Sequence, residues 1–116
     1  MQSFNQIVTE FNSYIHQQKF FEALDRLYHS EVVSADNDEK QIVGIDRLRY
    51  QIKQFIDKAQ IHKIELVSLH IEDKLSAANC CYSLDHKEFG RIEHHQFSVQ
   101  RWKDNKIIQG HHFDVR

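Results

Sequence analysis

Residues 91–116 read RIEHHQFSVQRWKDNKIIQGHHFDVR, two arms of alternating character about Asp104-Asn105. A short Asx turn between alternating runs is the mark of a β-hairpin. Each arm carries a histidine pair, His94-His95 and His111-His112, and the second arm runs on to Asp114. Successive strand side chains point to opposite faces, so each pair sends one ring to each side of the sheet. Register therefore decides whether ionisable groups meet in one hollow or spread over a solvated surface.

Two registers fit the turn. A two-residue type I′ turn sets Lys103 opposite Lys106, Ser98 opposite His111 and His95 opposite Asp114. A type I turn with Asn105 as a left-handed bulge residue shifts the pairing by one. Trp102 then faces Lys106, Gln96 faces His112 and His94 faces Asp114. Asn is the non-glycine residue best suited to the left-handed region, which favours the second register. In it, one face carries His94, Gln96, Ser98, Trp102, Ile108, His112 and Asp114. The other carries Phe97, Val99, Ile107, His111 and Phe113.

Upstream of the hairpin, the hydrophobic period is 2 back to residue 60. The runs 61–72 and 75–84 read as two further strands joined through Asp73-Lys74, giving an antiparallel meander. Before residue 60 the period is 3.6. Residues 3–17 place Phe4, Ile7, Val8, Phe11 and Ile15 on one stripe, with Ser3 as N-cap. Residues 19–29 predict a second helix, and EVVSAD (31–36) a short β-branched strand. Gly44 breaks the chain, and Ile45, Leu48, Ile52, Phe55 and Ile56 form the stripe of a third helix with Asp46 in its first turn. Helices followed by strands give an α+β class, three N-terminal helices on a curved, mostly antiparallel sheet.

The chain of 116 residues is the size of one domain, read as 1–116. Fifteen basic against seventeen acidic residues, with no basic block, predict no nucleic-acid partner. No apolar run approaches the ~20 residues of a membrane span. The first residues, MQSFNQIVTEF, lack the basic and apolar regions of a secretory signal. The adjacent Cys80 and Cys81 point to opposite faces of a strand and read as reduced thiols, which predicts a cytoplasmic protein. Nine histidines make the net charge swing between pH 5 and 8.

Three segments, in order, resemble the SnoaL-like branch of the nuclear-transport-factor-2-like (cystatin-like cone) superfamily. They are FFEALDRLYHSEVVSAD, IVGIDRLRYQIKQFI and FSVQRWKDNKIIQGHHFD. The family's hairpin turn has Gly where Asn105 stands here. The resemblance implies a cone with the His94 face lining its hollow, and dimerisation through the convex face. Burying Phe97, Val99 and Phe113 would be the physical reason for a homodimer.

Within that resemblance, Asp36 aligns with the general-base aspartate of ketosteroid isomerases. A carboxylate at the mouth of an apolar pocket can abstract a proton beside a carbonyl. SnoaL-like cyclases carry a catalytic aspartate in the last strand, at or near Asp114. Paired with His94 or His112, it is an acid/base unit in which the carboxylate fixes the ring's tautomer. Where the isomerases carry a protonated aspartic acid for their oxyanion hole, this chain has Ser98, a weaker donor. Tyr14 could supply a phenol, and Gln96, Ser98 and Trp102 complete a ligand-binding set. Two histidines and Asp114 could also form a facial metal triad, but no ligand spacing supports it, so neither metal nor organic cofactor is expected. The reading is binding of a small, largely apolar organic ligand, with acid/base catalysis of isomerase, cyclase or dehydratase type. The alternative is a binding or dimerisation module without turnover.

Overall fold

Ser3 begins the first helix as the sequence predicts: its hydroxyl accepts from the Gln6 N–H, and the Gln6 side chain accepts from the Ser3 N–H. This reciprocal capping box satisfies two donors that a helix start leaves open. The helix, α1 (Phe4–His16), ends with Gln18 left-handed at φ 62°. The Lys19 and Gln18 N–H groups turn back to the Tyr14 and Ile15 carbonyls, closing the last turn. The chain was analysed as a computed structural model that describes residues 2–37 and 41–114.

The remaining elements are α2 (Phe20–Leu27), β1 (Tyr28–Asp36), β2 (Ile42–Val43), α3 (Ile45–Ile56), β3 (Ala59–Glu72), β4 (Leu75–His86), β5 (Gly90–Lys103) and β6 (Lys106–Asp114). The second helix is shorter than the sequence suggests, because Tyr28, His29 and Ser30 join the strand. The two-residue β2 carries too little sequence to announce itself. Gly44, at φ 92°, begins α3 in a conformation that side chains oppose.

The strands form one sheet in the order β2-β1-β6-β5-β4-β3. The meander β3 to β6 is antiparallel, while β1 lies parallel to β6 and antiparallel to β2. The parallel β1–β6 pair brings Asp36 beside His112. The class is the expected α+β cone, with helices on one face of the sheet. Its core joins Val8 and Phe11 of α1, Leu24 and Leu27 of α2 and Leu48 of α3 to Val32, Trp102 and Ile107 of the sheet.

The terminal hairpin departs from the favoured register. Asp104 and Asn105 are both left-handed, at φ 53° and 62°, and Lys103 opposes Lys106. That is the type I′ geometry, which matches the twist of the flanking strands. A second irregularity follows at once: Trp102 opposes Ile107 while Arg101 opposes Gln109. Ile108 is therefore an extra residue, a β-bulge. Beyond it Ser98 opposes His112 and Gln96 opposes Asp114. His94, Gln96, Ser98, His112 and Asp114 thus share a face, as the bulged register proposed, by a different route. The two isoleucines change places: Ile107 is fully buried beside Trp102, and Ile108 is the bulged residue.

Candidate functional site

The helix-covered face near the ends of β1 and β6 gathers most of the polar groups singled out from the sequence. His94 Nε2 lies 2.8 Å from Asp114 Oδ1. The contact sets the Nε2 edge of the imidazole against the carboxylate, both groups being partly exposed. The other oxygen, Asp114 Oδ2, accepts from Asn37 Nδ2 at 3.1 Å. The Asp114 N–H donates to Asn37 Oδ1 at 2.9 Å.

Asn37 is a residue the sequence reading missed. It is left-handed at φ 50°, just past β1, where Asn costs less than most residues. Its backbone N–H donates to the His112 carbonyl at 2.6 Å, and its own carbonyl lies 3.0 Å from His111 Nε2. One side chain and one peptide group thereby fix the end of β6. The signal was present in the Asx-rich stretch after the first strand, which reads only as a polar turn. The rest of that turn, residues 38–40, lies outside the described residues.

His112 sits between burial and charge. Burial pushes its imidazole below the ordinary value, the Asp36 carboxylate pulls it up, and His111 pushes it down. Burial is the largest of these, because taking a charged ring out of water costs more than the solvent-exposed Asp36 carboxylate beside it returns. His112 Nδ1 is shielded from solvent and has no hydrogen-bond partner among the described residues. Asp36 itself is exposed at the strand end.

The neighbouring strand adds groups that the sequence reading did not assign to the site. Tyr82 opposes His94 and Cys80 opposes Gln96, so both share this face. The Tyr82 and His94 rings are 6.3 Å apart. Burial raises the Tyr82 phenol and the Cys80 thiol above their usual ranges, so both are held protonated at neutral pH. Tyr28, packed edge-on against Phe11, is raised by burial in the same way. The helix-covered face of the sheet thus combines protonated phenols and a thiol with an imidazole–carboxylate pair.

Two residues of the expected ligand set lie elsewhere. The Tyr14 hydroxyl donates to Glu10 at 3.1 Å and accepts from Arg26 at 2.8 Å, in a cluster that ties α1 to α2. Trp102 is in the core between Phe4 and Phe11, and its Nε1–H donates to Ser76 Oγ at 2.9 Å. Ser76 in turn donates to Gln100 Oε1 at 2.8 Å. Gln96 and Ser98 are half-buried on the same face as His94. Among the described residues no three His, Cys, Asp or Glu side chains converge as a metal-ligand set, the triad of two histidines and Asp114 included.

No family model matches the sequence, and no curated protein matches it. Solved structures do. A candidate SnoaL-like polyketide cyclase of Mesorhizobium loti superposes with a TM-score of 0.87 at 15% identity, covering 96% of this chain and 98% of that one. An LEH-like epoxide hydrolase from M. tuberculosis gives 0.76 at 13%, covering 95% and 80%. An NTF2-like protein of unknown function from Burkholderia pseudomallei gives 0.80 at 11%, covering 99% and 92%. At these identities the likeness establishes the NTF2-like, cystatin-like fold, which hosts many unrelated chemistries.

Proposed function

We propose that this cone binds a small, largely apolar organic molecule bearing a carbonyl, and that His94, Asp114, Asp36 and His112 supply acid/base chemistry of isomerase, cyclase or dehydratase type. The observation that carries the proposal is the His94–Asp114 pair at 2.8 Å, held from behind by Asn37. In this reading Nε2 donates to Asp114, and Nδ1 is the base that takes a proton beside the carbonyl. Asp114 then stabilises the imidazolium. The protonated Tyr82 phenol on the same face is a donor for charge developing on the carbonyl oxygen. His112, kept neutral by burial, and Asp36 complete the polar wall. Gln96 and Ser98 orient the ligand.

A second reading is favoured by one observation: Asp36 and Asp114 are both solvent-exposed. Solvated carboxylates suit a module that binds without turnover. The two readings separate in one experiment. Enolisable ketones are incubated with the protein in D2O, and loss of the α-proton signal is followed by NMR. The catalytic reading expects exchange that falls by about 10²-fold or more in His94→Gln and Asp114→Asn. Ligand density in the cone of soaked crystals without any exchange establishes the binding module, and no density sinks both.

The outer face supports a homodimer. Phe97, Val99 and His111 are half-buried there and Phe113 is exposed, with Phe113 stacked on His111 at 4.1 Å. The free thiols Cys80 and Cys81 suit a reducing compartment, and the cytoplasm is the proposed location.

A further inference from the structure

A cleft of about 260 Å³ lies between α3 and the turn joining β4 to β5. The helix contributes Tyr50, Gln51, Gln54 and Phe55, and the turn contributes Phe89, with His86 between them. None of these residues belongs to the His94–Asp114 cluster. The turn is a three-residue loop closed by Gly90 at φ 74°, paired with His86. That geometry needs a glycine and carries Phe89 at the tip.

The rings are arranged as a stack with open ends. His86 is sandwiched between Phe55 at 4.8 Å and Phe89 at 4.6 Å. The imidazole is only 5% exposed, yet Phe89 and Tyr50 are each 67% exposed. Two aromatic rings left in water around one cavity are unusual, since such rings bury large apolar areas. His86 Nδ1 accepts the Glu88 N–H at 3.1 Å, which leaves the ring proton of the neutral form on Nε2. That nitrogen is shielded from solvent and has no acceptor among the described residues. A buried donor without an acceptor is a group awaiting a partner.

The walls also define charge. Gln51 and Gln54 are neutral amides, and the Lys58 ammonium is paired with Glu88. The volume of about 260 Å³ falls just below the roughly 300–1,000 Å³ of drug-sized ligand pockets, room for one or two rings. We infer that this cleft is a second binding site, for a neutral one- or two-ring aromatic compound with a carbonyl oxygen. The ring lies against Phe89 and Tyr50, and the carbonyl accepts from His86 Nε2. A shift of the exposed Phe89 ring opens the approach to that nitrogen. The inference does not depend on the chemistry proposed for the cone.

The test titrates the full chain with acetophenone, using benzoate and cyclohexyl methyl ketone as comparison probes, and follows backbone amide signals by NMR. Expected are saturable shifts at residues 50–58 and 86–90, whether or not cone residues also respond, with weaker binding of both comparison probes at the cleft. His86→Phe keeps the stack and removes the donor, and weakens acetophenone about ten-fold. Tyr50→Ala and Phe89→Ala, at exposed positions, each weaken it and keep the test valid if the buried variant does not fold. Shifts that never saturate, or that saturate only at cone residues, overturn the inference. So does benzoate or cyclohexyl methyl ketone binding as tightly as acetophenone, or unchanged affinity in both exposed variants.

Discussion

Asn37 and Asp114 grip each other twice: Asn37 Nδ2 donates to Asp114 Oδ2, and the Asp114 N–H donates to Asn37 Oδ1. This couples the end of β1 to the end of β6 and leaves Asp114 Oδ1 for His94. Asn37→Gly keeps the left-handed backbone and deletes both side-chain bonds, so a loss of about 1 kcal/mol is expected. Asn37→Val also strains φ and should lose more. Urea unfolding midpoints check the order; equal midpoints for wild type and Asn37→Gly would show that the grip contributes nothing.

His112 gives the protein a pH dependence of definite sign. Its folded pKa is held below the ordinary imidazole value of 6.5 by burial. Below that value the unfolded chain takes up a proton that the folded ring resists, so stability falls as pH drops from 7 toward 5. The slope for one proton is at most about 1.4 kcal/mol per pH unit. The exposed Asp36 charge, by favouring the protonated ring, makes it shallower. The His112→Gln variant should show a flatter dependence in the same window, measured by urea unfolding at each pH. An unchanged slope would assign the effect to other histidines.

Ser76 is fully buried and serves two partners, accepting from Trp102 Nε1–H and donating to Gln100 Oε1. Ser76→Ala strands both, and stranded buried polar groups cost about 1–3 kcal/mol each. A loss of about 2 kcal/mol or more is expected. Trp102 is the only tryptophan, so its emission reports the unfolding transition without ambiguity. A loss below about 0.5 kcal/mol would mean the chain is not needed for stability.

The dimer proposed for the outer face makes a prediction at Phe113. Placing a charge in the Phe97–Phe113 patch, where the rings are 6.4 Å apart, opposes burial of the face. Wild type should sediment as a dimer and Phe113→Glu as a monomer with an unchanged fold by circular dichroism. A wild type that sediments as a monomer at high concentration ends the proposal.

The legible parts of this chain were those governed by local rules. Ser3 as N-cap, the α1 stripe and the period change near residue 60 each follow from spacing alone, and each is where it was expected, whereas of the α3 stripe Leu48 is buried and Phe55 is exposed. The side of the sheet occupied by His94, His112 and Asp114 was also legible, because parity survives any even number of register shifts. The particular turn was not. Type I′ and bulged turns differ by a small preference at two Asx residues, and strand twist decides between them. Asn37 was hidden because its partner is 77 positions away. Tyr14 and Trp102 were misplaced for a related reason: a helix stripe or strand parity gives a direction but not the neighbour, here Arg26 and Ser76. Tyr50 and Phe89 are isolated aromatics in sequence, and only the fold brings them to one cleft.

The Ile108 bulge has the effect of a counting device. From Lys103 opposite Lys106 the turn would run the strands out of phase, with His95 meeting Asp114 and Ser98 meeting His111. One unpaired residue resets the phase. Pairing Ile108 with Arg101, so that no residue is left over, would turn the far half of β6 inside out, sending His112 and Asp114 to the outer surface and Phe113 to the helix-covered face. The two histidine pairs with which the hairpin announces itself can then be read as a choice settled by a single inserted residue. The count of paired residues between turn and site, more than any contact within the site, sets which imidazoles are available to a ligand.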